Sequence, residues 1–241
     1  MNVELIGYTL FRPPTRMRDT KMMQRLADEF GPQTASASTL SEFAGRLCYD
    51  SLNLPNEGTA TNATYLANII KQRHFSVLEH GSATFYIGGV SRSLLMEIRT
   101  HRIASFSARS TRYVDERDAQ FVTPPALAPL LSEQFSESDS VTVGEELDDL
   151  MGHAAALYES IYERLIANGA TRKEAREAAR EFLPGATETE FVMTANHHAW
   201  RDLLQKRIAP GASQEIRLLG GEILRHLKEL EPAIYQDIQC P

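Results

Sequence analysis

The sequence predicts an α+β fold, and three observations carry that prediction. Residues 3–11, 82–90 and 187–195 are short runs with the β-branched, aromatic and alternating character of strands. Several longer stretches place apolar residues at helical spacing, the longest over residues 143–168. The chain has 241 residues, of which 42% are hydrophobic, enough for a sizeable core within one domain spanning 1–241.

In chain order, the strand at 3–11 is ended by Pro13 and Pro14. Residues 41–49 and 60–72 read as short amphipathic helices, with Thr61 or Asn62 as N-cap of the second. The strand at 82–90 carries Ala83, Phe85 and Ile87 on one face and closes at Gly88-Gly89. Ser91 can cap a helix running through Leu94, Leu95 and Ile98. An arginine-rich stretch follows over 99–117, then a loop marked by Pro124, Pro125 and Pro129 and a polar, acidic surface segment at 132–140. The helix at 143–168 presents Leu147, Leu150, Ala154, Leu157, Ile161 and Leu165 on one face, with Gly169 as its C′ residue. Thr171 opens a capping box with Glu174, and that helix ends by Leu183-Pro184. After the strand at 187–195, helices at 197–207 and 213–230 close the fold. No internal repeat is present.

Lys and Arg number 25 against 32 Asp and Glu, a net charge of −7. Residues 118–163 contain ten acids and no Lys or Arg, so that stretch carries −10 and the remainder +3. Short basic clusters inside an acidic total argue against a polynucleotide groove. Small anionic ligands stay compatible, and twenty of the basic residues are Arg, which grips carboxylates and phosphates bidentately. No apolar run of membrane-spanning length exists, nor a secretory leader pattern, and two cysteines build neither a disulfide framework nor a four-cysteine zinc site. A cytoplasmic protein without membrane or nucleic-acid partners is expected. The pair His197-His198 suggests a metal at first sight, but adjacent helix residues diverge by about 100° and no carboxylate completes a site, so no metal is expected.

The chemistry concentrates in residues 97–113, where four arginines, three serines and one histidine follow an apolar helix. Two readings fit: an anion site, in which an extended Ser110-x-Arg112 presents hydroxyl and guanidinium to one phosphate, or a salt-bridged surface segment. Downstream, Arg180 ends a helix and Arg207 ends another, each readable as part of a pocket or as a dipole partner in a last turn. Motifs for Walker-type phosphate loops, Rossmann dinucleotide turns, zincins and serine hydrolases are absent.

Thr100-His101-Arg102 followed by Ser110 resembles the Arg-His-Arg…Ser signature of the flavin-dependent thymidylate synthases. Further segments are similar in family order: residues 42–49, 61–65, 74–80, 85–93, 179–184 and 199–201. The resemblance implies a central antiparallel sheet flanked by helices, and a homotetramer with active sites between subunits. It also implies FAD as cofactor, NADPH and methylenetetrahydrofolate as co-substrates, and reductive C5-methylation of the uracil of a nucleoside monophosphate, dUMP or UMP. By the same resemblance Arg207 stabilises the uracil as N3 ionises. Glu97, Arg99, Ser110, Arg112, Arg180 and Arg207 surround the nucleotide, and His74, Ser76, Thr100, His101, Arg102, Ile103, Asn196, His198 and Asp202 are on the flavin side. Family chemistry uses no cysteine nucleophile, in keeping with a Cys48 expected to be buried as a small apolar residue. Departures cluster at the ligands: Thr100 stands for the first Arg, Ala108 for Glu or Gln, Arg109 for an apolar residue, and His198 for Arg. The alternatives are a flavin- or nucleotide-binding homologue without methyl transfer and an RNA-binding protein.

Overall fold

A computed structural model describes residues 1–14, 36–51, 56–136 and 140–239. Cys240 and part of the acidic 132–142 segment lie outside the described residues. Four strands, β1 (Asn2–Tyr8), β2 (Ser82–Ser91), β3 (Ala104–Ala108) and β4 (Glu188–Asn196), form an antiparallel sheet in the order β1-β2-β4-β3, flanked by helices. The α+β expectation is met. The helices are α1 (Ala37–Cys48), α2 (Asn62–Lys71), α3 (Arg92–Ile98), α4 (Val143–Ala167), α5 (Arg172–Ala179), α6 (His197–Arg207) and α7 (Gln214–Leu230). Among the described residues, no helix is long and apolar enough to cross a membrane.

The caps account for most boundaries. Thr61 and Thr171 each accept from the backbone N–H three residues on, and the residue at that position reaches back, completing two capping boxes. Ser91 accepts from Leu94 N–H at 3.0 Å, as its sequence position predicts. Gly169 takes φ +87° and closes α4 through Ala170 N–H to Leu165 C=O and Gly169 N–H to Ile166 C=O, the two bonds of a Schellman turn. Helix α2 ends on the same pair of bonds, His74 to Ile69 and Arg73 to Ile70, but here the left-handed residue is Arg73, φ +58°. A side chain in that region costs about 1 kcal/mol or more. Arg73→Gly is therefore expected to raise stability by roughly 0.5 kcal/mol, the gain reduced by the freer unfolded chain; an unchanged or lowered denaturant midpoint would show that the Arg73 side chain offsets the strain.

The chain forms two compact units. One comprises Val3–Tyr86, His101–Ser105 and Met193–Pro241. Its core is built on Phe85 packed edge-to-face against Trp200 at 5.3 Å, with Leu66, Leu78, Leu204, Leu224 and Tyr235 fully buried. The other comprises Met1–Asn2, Ile87–Thr100 and Phe106–Val192. Its cluster is Tyr158, Tyr162, Ala175 and Ala179, with Ile161, Leu165 and Leu183 packed against it. Within this unit Gly89 adopts φ +65° against Met1, where a Cβ would stand 3.0 Å from the amino nitrogen.

Three local expectations are corrected. The face of α4 that reaches the core is Tyr158 and Tyr162, whereas Leu150 and Leu157 are exposed; the broad apolar stripe is wider than what α5 covers. Cys48 is exposed because it falls in the last turn of α1, beyond the buried positions Gly45 and Arg46. Residues 104–108, read only as part of an arginine-rich stretch, form β3, whose short alternation of half-buried and exposed residues gives a weak strand pattern.

Candidate functional site

In the unit containing residues 101–105, the start of β3 and the end of β4 frame an open cleft of about 370 Å³. Arg102, Ile103, Ala104 and Ser105 line one side and Thr194, Ala195 and Asn196 another, with Ser82 completing the wall. Asn196 is fixed because it is the N-cap of α6: its side-chain oxygen accepts from Ala199 N–H at 2.8 Å, which leaves the amide NH2 as a donor. Ile103 is 74% exposed, an apolar side chain at the cleft wall. This donor set, one guanidinium, one amide and one exposed apolar surface, fits a flat ring carrying phosphates. The residues expected on the flavin side that line the cleft are Arg102, Ile103 and Asn196.

His101, next to the cleft wall, is bound by Arg207 from the last turn of α6: Arg207 Nε donates to His101 Nε2 at 2.8 Å. The imidazole must accept at Nε2, so it is neutral and carries its proton on Nδ1. This bond joins two sequence-predicted residues 106 positions apart.

The remaining flavin-side residues have their own partners. His198 pairs through Nδ1 with Glu79 Oε1 at 2.9 Å and lies 5.3 Å from the Phe75 ring. Asp202 is held by Lys206 at 2.7 Å on the exposed side of α6. His74 and Ser76 are exposed in the turn that follows Arg73. The neighbours His197 and His198 part as helix geometry requires: His198 faces solvent, while His197 is fully buried with Nδ1 on Tyr235 Oη at 2.7 Å. Burial pushes the His197 pKa down to about 4. Among the described residues no group of three potential metal ligands exists.

The residues expected around the nucleotide phosphate belong to the other unit. Ser110 to Val114 is a helical turn, with Tyr113 N–H and Val114 N–H both bonded to Ser110 C=O, so the extended Ser-x-Arg geometry is corrected. The turn still brings Ser110 Oγ within 3.4 Å of Arg112 N. Arg112 Nη2 donates to Glu177 at 3.0 Å, and Arg180 Nη1 reaches Thr111 Oγ1 at 3.4 Å. The Arg112 Nε–H is buried without a hydrogen-bond partner, and Arg180 Nε lies 3.3 Å from Glu181 Oε1 without hydrogen-bond geometry. Thr100 Oγ1 donates to its own turn, at Glu97 C=O, 2.8 Å.

Sequence reasoning missed two residues here. Arg92 is half-buried and its pKa is lowered, first by burial, with the charges of Arg180 and Arg99 adding to the shift against the pull of Glu116. Its position one residue after the N-cap Ser91 marks it in the sequence only as a helix start. Glu116, 4% exposed, binds Arg109 Nε at 3.3 Å; a lone acid in an arginine-rich run carries no local signal.

Comparison with known proteins adds a separate line. Residues 32–233 match the family model described as thymidylate synthase complementing protein. The chain is 47% identical over 204 residues to a probable flavin-dependent thymidylate synthase of Mycobacterium phage L5, covering 84% of this chain and 81% of that protein. It is 42% identical over 240 residues to the corresponding protein of Mycobacterium phage D29, covering 99% and 96%. The flavin-dependent thymidylate synthase of Mycobacterium tuberculosis H37Rv is 41% identical over 236 residues, covering 94% of this chain and 90% of its own length.

Proposed function

Because the chain belongs to the thymidylate synthase complementing protein family, the family of flavin-dependent thymidylate synthases, we propose that it methylates uracil C5 of dUMP reductively. Methylenetetrahydrofolate is the carbon donor and NADPH the reductant. The observation that carries this reading is the Arg207–His101 bond, one residue from Arg102 at the cleft wall. When bound, the flavin supplies hydride and relays the folate carbon to the uracil.

The chain's own residues supply binding and electrostatics. Arg207, oriented by His101, favours the uracil ionised at N3 and so raises electron density at C5. Ser110, Arg112 and Arg180 hold the 5′-phosphate, with Glu97 and Arg99 beside them, and the orphaned Arg112 Nε–H is a donor suited to a phosphate oxygen. Arg102, Ile103 and Asn196 hold the cofactor, with His74, Ser76, Thr100, His198 and Asp202 around it. The reading includes a cytoplasmic homotetramer; the exposed Leu150 and Leu157 on α4 support burial against another subunit.

A second reading, acceptance of UMP, is favoured by one observation. Ala108 offers no polar group and the Thr100 hydroxyl donates to Glu97 C=O, so neither rejects a ribose 2′-OH. The experiment is C5-methylation of dUMP and UMP side by side, with FAD, NADPH and folate present. Product from dUMP is expected, and no product from either nucleotide contradicts the function. Normal turnover of dUMP with none of UMP removes the ribose reading alone.

A further inference from the structure

Helix α5 meets the turn that carries Ser110 and Arg112 through three side chains. Arg176 Nη1 donates to Tyr113 C=O at 2.9 Å, and its Nη2 lies 3.6 Å from Asp115 Oδ2. Glu177 accepts from Arg112 Nη2 at 3.0 Å, and Arg180, the C-cap residue, reaches Thr111 Oγ1 at 3.4 Å. The roll of α5 about its axis is set from beneath. Ala175 and Ala179, about one turn apart, are fully buried in the cluster with Tyr158 and Tyr162. Arg176 follows the first of them, so the packing that buries Ala175 delivers a guanidinium to the turn.

The three contacts differ in what an arriving phosphate does to them. Arg112 and Arg180 are expected ligands of that phosphate, so binding competes with Thr111 and with Glu177, whose side chain is 46% exposed and free to move into water. The Arg176 contact is with a main-chain carbonyl and a carboxylate, neither of which a phosphate seeks. It can persist with the ligand in place. Arg176 itself has little left to give a ligand: its side chain is 16% exposed, both Nη groups have partners and Nε is buried. Its guanidinium carbon stands 5.9 Å from the centre of the Tyr162 ring, and that of Arg117, which also holds Asp115, stands 5.3 Å from the same ring.

We propose that Arg176 is a positioning residue for nucleotide binding: by pinning the Tyr113 carbonyl and Asp115 to α5, it holds the 110–114 turn in the form that presents Ser110 and Arg112 together to the 5′-phosphate. The inference rests on the nucleotide reading above. Within the turn, Ser110 Oγ and Arg112 N are 3.4 Å apart, a spacing that depends on the bonds of Tyr113 N–H and Val114 N–H to Ser110 C=O. Arg176 secures the far end of that same turn.

The test measures dUMP and deoxyuridine binding to the full chain loaded with FAD, for wild type, Arg176→Gln, Arg112→Gln and the double variant. In Arg176→Gln, dUMP affinity is expected to fall roughly tenfold, the scale of one hydrogen bond to a charged group, with deoxyuridine unchanged. On the Arg112→Gln background the same substitution is expected to cost about threefold at most, because a residue that acts through the turn has lost the main group it places. A second loss as large as the first makes Arg176 an independent phosphate ligand and overturns the proposal. Unchanged or tighter dUMP binding in Arg176→Gln overturns it too, as does equal weakening of both ligands, which marks a structural role. If Arg176→Gln does not fold, Arg176→Lys takes its place. Lysine keeps the charge but not the fork that spans the carbonyl and Asp115, so a dUMP-specific loss of about threefold is expected; wild-type dUMP affinity in that variant overturns the proposal. A wild-type chain that binds dUMP no better than deoxyuridine overturns the nucleotide reading itself, and the inference with it.

Discussion

Arg207→Ala is expected to lower the rate of dUMP methylation by roughly 10²–10³-fold, the usual cost of removing one group that stabilises developing negative charge, while bound flavin is retained. The guanidinium reaches its place from the last turn of α6, and His101 accepts its Nε–H at 2.8 Å. That contact orients the guanidinium. Arg207→Lys keeps the charge but loses the fork, so it should recover only part of the rate. Single-turnover measurement of the methylated product checks this, with the flavin spectrum as control. Product formed by the alanine variant at an undiminished rate would show that N3 ionisation does not depend on Arg207.

Acid should destabilise the protein through His197. Folded, its pKa is pushed down to about 4 by burial, against 6.5 for the free side chain. The unfolded chain therefore binds a proton at pH values where the folded chain refuses it. The stability held above pH 6.5 is lost progressively as pH falls toward 4, about 2 kcal/mol of it between pH 7.5 and 5 and about 3 kcal/mol in all. The surroundings leave no room for relief: a Cβ on Gly81 would lie 2.8 Å from His197 Cδ2, and Nε2 is buried with no partner to stabilise an added proton. Urea unfolding at the two pH values checks the slope, and His197→Asn should flatten it. An equal slope in that variant would assign the acid lability to other groups.

How much of this was legible in the sequence depended on the range of the signal. Ser91, Thr61, Thr171 and Gly169 announce helix ends through contacts within five residues, and all four hold in the structure. The start of α1 did not show because its cap comes from elsewhere. Glu231 accepts from Ala37 N–H and Ser38 N–H at 2.7 and 3.1 Å, 194 and 193 positions away. A helix beginning at 37 therefore read as one beginning at 41. The strand β3 was hidden for a related reason: its pairing with β4, not its composition, makes it a strand.

The candidate site divides in the same way. The arginines of 97–113 stood out by density, and the family segments gave the roles expected of them. Their pairing did not follow from density. Arg207 with His101 is a contact across 106 positions, and Arg109 with Glu116 depends on a carboxylate that only the folded chain buries. Ser110 and Arg112 were expected on an extended segment, and a helical turn brings them together by a different route.

The central claim is that the cleft between Arg102 and Asn196 holds a flavin that works on a uridine nucleotide. The visible absorption spectrum of the purified protein tests it most directly. A yellow protein whose flavin band bleaches on addition of NADPH, faster with dUMP present, is the predicted result. A colourless protein that takes up no added FAD would contradict it.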